Sequence, residues 1–445
     1  MSTFNKGSAL TRRHLLRSAS LGSLALQSVA TGLPVGLLMR PRVGRTQADP
    51  MAEGPGRMLI LFASQAGDPI NTNVPGTYGS GAEGVVHPPS MRMAPTALQL
   101  DGRTYTAAKP WADLPQAVLD KTVFFHHATY TPVHQDHAEV MRLMGASRDD
   151  QMLVTMLATL LAPRQGSVQS VPLSLGARSG AELVTNPLGQ PLANVAPLSL
   201  AQALGGPRGP LASLTGLRDR GIDRLYRLYR DHGTEHDRNL LDAWARSRDE
   251  VRSVSDVLVS RLEVIEDNRE DSQVTAASVL AAMNITPVIT VHGRFGGDNH
   301  RDEGLVSETD QTISGVARMG RLMAELDVLR AQGVLRHDVV VATMNVFGRN
   351  LRKKGTAGRD HNRGHHVTVM MGDGLRGGVV GGIERSGDDY IASSINSTTG
   401  EAVGDVPFDE TLAAMAKTMG RAVGVEASAL DENISLGRPV MSALT

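Results

Sequence analysis

No cysteine occurs among the 445 residues. Disulfides, thiolate metal sites and a cysteine nucleophile are therefore excluded. Aromatic residues make up only 3%, too few for a platform on which sugars or bases stack. Acidic residues are missing from the first 48 positions, while seven basic ones fall there. The rest of the chain carries 38 basic against 46 acidic residues, a balance of −8. That balance gives no electrostatic reason to expect nucleic acid as a partner. A repeat at a fixed period is also lacking.

The first 48 residues are ordered as an export signal. Arg12-Arg13 precede Leu15-Leu16, a weakly apolar run covers 18–39, and the small-residue stretch Thr46-Gln47-Ala48 closes it. Charged, apolar and small-residue regions in that order mark a segment removed on export. The paired arginines resemble the twin-arginine motif, which implies the twin-arginine translocase as a partner and a periplasmic or secreted location. The run reaches the roughly 20 residues a membrane span needs. Gly22, Gly32, Pro34 and Gly36 interrupt it, so no permanent span is expected. The working part then covers 49–445.

Short apolar runs at 57–63, 122–126, 171–175, 288–291, 338–344, 365–371 and 379–380 read as buried strands. Helical spacing covers 134–144, 151–161, 313–332 and 408–419, with Gly333 placed to stop the third of these. Two long amphipathic helices are expected within 211–268, as part of a helical insertion at about 211–284. Strands alternating with helices predict an α/β fold, a mostly parallel sheet with helices on both faces.

Polar residues gather in four clusters. They are Gln65-Ala66-Gly67-Asp68, His134-Gln135-Asp136-His137, the segment from Gly296 to Asp302, and the segment from Gly358 to His366. The first three follow expected strands, and the carboxyl ends of parallel strands are where such sheets bind ligands. Carboxylate and imidazole together suit zinc, manganese or a similar divalent ion. His126 and His127 end a strand, and one of them reads as a core histidine. His87, His232, His236 and His337 read as surface positions.

Several of these stretches resemble a bacterial family of secreted twin-arginine-signal proteins, known as a domain of unknown function within the alkaline phosphatase and sulfatase superfamily. They are Gly67-Asp68 with Asn71-Thr72-x-Val74-Pro75, Asp298-x-His300, Phe347-Gly348-Arg349, Gly358-x-Asp360-His361 and Gly377-Gly378. The resemblance implies an alkaline-phosphatase-like sheet and two divalent ions. Asp68, Asp360 and His361 would hold one ion. Asp298, His300 and either His365 or His366 would hold the other. Neighbours on a strand point to opposite faces, so at most one of the last two faces the metals; His365, nearer the loop, is preferred. Paired ions suit in-line displacement at phosphorus or sulfur, with a small anionic ester as substrate.

Departures from the family accompany the match. Asp136 stands where serine is usual, and Asn345-Val346 replace Ser-Glu. Thr131 and Thr72 remain as candidate nucleophiles, and Arg349 as a bidentate anion clamp. The sulfatase pattern of Cys or Ser before x-Pro-x-Arg is missing, which disfavours a standard sulfatase. The expectation is an exported metal-dependent hydrolase of phosphate or sulfate esters. Its rival is an exported binding or envelope protein that keeps the fold around a degenerate site.

Overall fold

The computed structural model describes residues 56–445 apart from 80, 168, 177–193, most of 205–255 and 354–356. The expected export signal and most of the two expected amphipathic helices lie outside the described residues.

The strands in chain order are β1 (Met58–Ser64), β2 (Pro95–Leu100), β3 (Arg103–Ala108), β4 (Thr122–His127), β5 (Leu173–Leu175), β6 (Asn194–Val195) and β7 (Val288–His292). They continue as β8 (Val339–Asn345), β9 (Gly348–Arg349), β10 (His361–Asn362), β11 (His366–Gly372), β12 (Gly378–Val380), β13 (Ile383–Ser386) and β14 (Asp389–Ala392). Eight form one sheet in the order β12-β4-β11-β8-β1-β7-β5-β6. Every pairing in it is parallel except those of β11, which runs antiparallel to both β4 and β8. The sheet is thus mostly parallel, in the α/β class expected. The reversed strand has a consequence for the site. It brings the start of β11 to the carboxyl end of β4, with His366 opposite His127.

Strands β4, β8 and β11 are buried at every residue. Such continuous burial is what a sheet covered on both faces produces, and runs such as Val339-Val340-Val341 supply the β-branched side chains it favours. Successive side chains point to opposite faces. Leu59, Leu61, Val340 and Ala342 join a core with helices α1 (Leu153–Gln165) and α4 (Thr411–Ala422). Phe62 meets Phe295 edge-on, and Phe124 meets Trp111 in the same way. Helix α2 (Glu270–Ala282) lies against β7 and α3 (Val306–Ala331). Helix α1 ends at Gly166 in the left-handed conformation, a common helix stop.

The described parts of 198–263 fall in one compact unit, and 264–284, including α2, in the unit that carries the sheet. One expectation needs adjustment. The expected helix over 134–144 is broken. A 3-10 turn at His134–Asp136 leads into the helix His137–Met141, and Leu143 and Met144 then take positive φ. No described helix is long and apolar enough to cross a membrane.

Candidate metal centre

Four loops at one end of the sheet supply the polar side chains. The loop after β1 turns through Asp68, whose carboxylate accepts from the Gly297 N–H at 2.7 Å and from Asn345 Nδ2 at 2.6 Å. This ties the loop after β7 to those after β1 and β8. Gly297 sits at φ 57°, a left-handed position that suits glycine, and the turn presents Asp298 and His300. After β8 the chain forms β9, which pairs with β10 so that His361 lies opposite Arg349. Gly348 is required there, since a Cβ would fall 2.2 Å from the His365 carbonyl oxygen.

His134, Asp298, His300 and His361 converge. One ligand atom from each lies within 4.8 Å of all the others. The imidazoles are oriented from behind. His134 Nδ1 is 2.6 Å from the Gln65 carbonyl oxygen, and His361 Nδ1 is 2.5 Å from that of Pro132. His300 Nδ1 is 3.4 Å from the Asp360 carboxylate. Carbonyl oxygens accept only, so the neutral rings of His134 and His361 carry their protons on Nδ1 and keep a lone pair on Nε2. Metal-ligating histidines are typically held in this way.

The inward contacts follow from that. His300 Nε2 and His361 Nε2 are 2.7 Å apart, and His300 Nε2 is 3.4 Å from Asp298 Oδ1. A contact this short between two ring nitrogens needs a shared proton or a cation between them. Burial, helped by the positive charge of Arg349, pushes His361 down to about 4, so it is neutral near pH 7. Burial works to raise Asp298, but the hydrogen bond and charge of Arg349 outweigh it and hold that carboxyl below its ordinary value. Three imidazoles and one carboxylate fit zinc by donor type and number.

The other expected site residues have different surroundings. Asp68 is fully buried, raised by burial, and both its oxygens are engaged by Gly297 and Asn345. It buttresses the loop and lies outside the ligand group. Asp360 backs His300. His365 is fully buried, with Nδ1 3.1 Å from Asn71 Nδ2 and Nε2 3.0 Å from His126 Nδ1. No ring nitrogen of His365 is left for an ion. Its neighbour His366 packs edge-on to His127.

Thr131 donates its hydroxyl proton to Asp136 Oδ2 at 2.5 Å, and Thr72 is buried against the Pro69 carbonyl and Glu308. Arg349 is fully buried. Its guanidinium donates to the carbonyls of Gly67, Ala66 and Arg359 and to Asp298 Oδ1. Those bonds commit it to the protein, and the expected anion clamp has no free edge. Where two ions were expected, the described residues gather one ligand group. His134 is the member that sequence reasoning left unassigned. Its position in a His/Asp cluster just past a strand was the available signal.

No protein-family model matches the chain, and no curated protein does. Among solved structures it is similar to the integral membrane protein lipooligosaccharide phosphoethanolamine transferase A (EptA) from Neisseria meningitidis, at 9% identity and a TM-score of 0.34. The match covers 96% of this chain and 66% of that one, so the chain spans just under two thirds of that protein's length.

Proposed function

We propose that this chain is an exported, metal-dependent hydrolase of phosphate or sulfate esters that works with one divalent ion, zinc or manganese, at His134, Asp298, His300 and His361. The supporting observation is the convergence of three imidazoles and one carboxylate, one ligand atom from each within 4.8 Å of the others, with His300 Nε2 2.7 Å from His361 Nε2. Tetrahedral zinc with bonds of about 2.0–2.2 Å sets ligand atoms roughly 3.4 Å apart, so small side-chain shifts accommodate it.

A divalent ion would supply Lewis acidity and make water a better nucleophile near neutral pH. The residues do the rest. Gln65 and Pro132 hold the ring protons of His134 and His361 on Nδ1, and Asp360 stands behind His300. Arg349 aims Asp298 and offsets its charge, so a site holding a dication stays positive and attracts an anionic ester. Asp298 and His300 are partly exposed, at 51% and 38% of the side chain, which leaves an approach for substrate.

The rival reading is an exported binding protein without turnover. The observation in its favour is that both candidate nucleophiles, Thr131 and Thr72, are buried and hydrogen-bonded. Calorimetric titration with zinc and with manganese tests the site: one equivalent is expected, and no uptake by the intact protein overturns the reading. Turnover of generic phosphate monoesters, phosphodiesters and sulfate esters by the loaded protein then separates hydrolase from binder. Export by the twin-arginine route rests on Arg12-Arg13 and the weakly apolar run. Replacing both arginines by lysine should leave precursor in the cytoplasm, and normal processing of that variant would refute the route.

A further inference from the structure

Behind the ligand group runs a buried chain of hydrogen bonds that the proposed chemistry does not use. His126 Nε2 lies 2.9 Å from the Pro75 carbonyl oxygen, which can only accept. His126 Nδ1 is therefore an acceptor in the neutral ring, and it faces His365 Nε2 at 3.0 Å. His365 in turn carries its proton on Nε2 and accepts at Nδ1 from Asn71 Nδ2, 3.1 Å away. The orientation of the Asn71 amide is fixed independently. Its Oδ1 accepts from the Arg349 N–H at 2.9 Å, and its Nδ2 donates to the Arg349 carbonyl at 2.8 Å. Turning the amide over would set donor against donor and acceptor against acceptor. One proton arrangement therefore satisfies every member, and all three side chains are fully buried.

Arg349 is the outlet of this chain. Asn71 grips its backbone on both sides, and its guanidinium reaches Asp298 Oδ1 at 2.8 Å. We propose that Asn71, His365 and His126 are positioning residues that set the backbone of Arg349, and through its guanidinium the Asp298 carboxylate, for metal binding. This rests on the metal reading of the His134 cluster. Burial holds His126 down to about 4 and His365 well below its ordinary value. Both rings are thus neutral near pH 7, as the ordered chain requires. Asn71 grips the Arg349 backbone with one side of its amide and directs its remaining N–H at His365, whose Nδ1 and carbonyl oxygen lie 3.1 and 3.3 Å away.

Three full-length variants test this. His365→Asn puts a carbonyl oxygen near the Nδ1 position and keeps the acceptor for Asn71. His365→Gln places its amide nearer His126 and loses that acceptor. His365→Leu loses both. Removing a partner behind a ligand weakens metal binding by roughly 10–100-fold, and the longer relay here points to the lower end. Zinc affinity should stay within about twofold in His365→Asn and fall about tenfold in the other two, while Asn and Gln lose similar stability, each leaving one buried group unpaired. A merely structural role predicts that affinity follows stability, and that result overturns the proposal.

Two spectroscopic readouts need no metal. Nitrogen-15 spectra of labelled histidine should place the proton on Nε2 in both His126 and His365; a proton on Nδ1 of either overturns the chain. Exchange of the Arg349 Nε–H should be slow in the native protein and His365→Asn and at least tenfold faster in His365→Leu. Equal exchange in all of them also overturns it. If the native protein takes up no zinc, the metal reading fails by itself, and the Arg349 signal still decides whether the chain positions that residue.

Discussion

Two polar regions share the carboxyl end of the sheet, and they use the same residue types in opposite ways. At the rim, His134, His300 and His361 are partly exposed and turn Nε2 toward one point, and His134 and His361 are anchored at Nδ1. In the closed layer, His126 and His365 are fully buried and engage both ring nitrogens. The arginines divide likewise. Arg349 pairs with Asp298, which is half exposed, whereas Arg359 pairs with Glu308 where both side chains are fully buried. Of these five imidazoles, the three that turn a nitrogen toward the common point are candidate ligands, and the two with both nitrogens engaged by the protein are struts.

The largest effect should come from opening the closed layer. Glu308 accepts from Arg359, Thr72, Asn73 and Asn299. These residues come from three different loops around the site. Breaking a buried pair by removing one partner typically costs about 3–5 kcal/mol. Glu308→Ala should lose that much in denaturant unfolding of the metal-free protein. A loss below about 1 kcal/mol would mean that water already reaches this layer.

Acid attacks the same layer. Burial pushes His126 and His127 down to about 4, from 6.5 in an unfolded chain. The unfolded state then binds more protons between these values, so stability rises with pH across that window. The contribution is fully present above about pH 6.5 and is lost as pH falls toward 4. One such buried group accounts for about 3 kcal/mol. Unfolding free energy measured from pH 7 to pH 4.5 should fall steeply, and a flat profile would contradict the burial of these rings in solution.

At the rim the balance reverses. His361→Ala removes a ligand but little core, since the ring is partly exposed and packs on Phe347. Zinc affinity should fall at least about 100-fold, equivalent to about 2.7 kcal/mol. Metal-free stability should change by less than about 1 kcal/mol. If stability falls and affinity holds, His361 belongs with the struts.

The sequence made much of the sheet legible and less of the site. Runs such as Val339-Val340-Val341 announce buried strands by composition alone. The direction of β11 was not legible, because an apolar run reads the same in either sense. The chain between β8 and β11 reverses through the β9–β10 pair, which only the register reveals. The hairpin of β2 and β3 had a readable sign in Asp101-Gly102, where both residues take the positive φ that a two-residue turn demands. Asp298, His300 and His361 stood out because aspartate and histidine gather in short glycine-containing clusters between expected strands. Asp68, Asp360 and His365 carry the same letters. Their different roles depend on which neighbours satisfy their polar atoms, and those neighbours lie as far off as Asn345 and Asn71.

The smallest effect expected concerns Thr131, the threonine placed nearest to a nucleophile's role by sequence. Its hydroxyl donates to Asp136 Oδ2 at 2.5 Å and accepts from the Val133 N–H at 3.1 Å. Both bonds shape the turn that leads to His134. Thr131 is itself buried, so an ester would reach its hydroxyl only if this turn opened. Thr131→Val conserves volume and removes both bonds, so it should cost about 1 kcal/mol of stability. Zinc uptake should be unchanged within about twofold, because His134 Nδ1 is held by Gln65 and not by this turn. Turnover of any ester the native protein hydrolyses should also persist within a few-fold, with water as the attacking group. A drop of 1,000-fold at intact zinc affinity, or a covalent adduct on Thr131 trapped during turnover, would move this residue from the closed layer to the working rim.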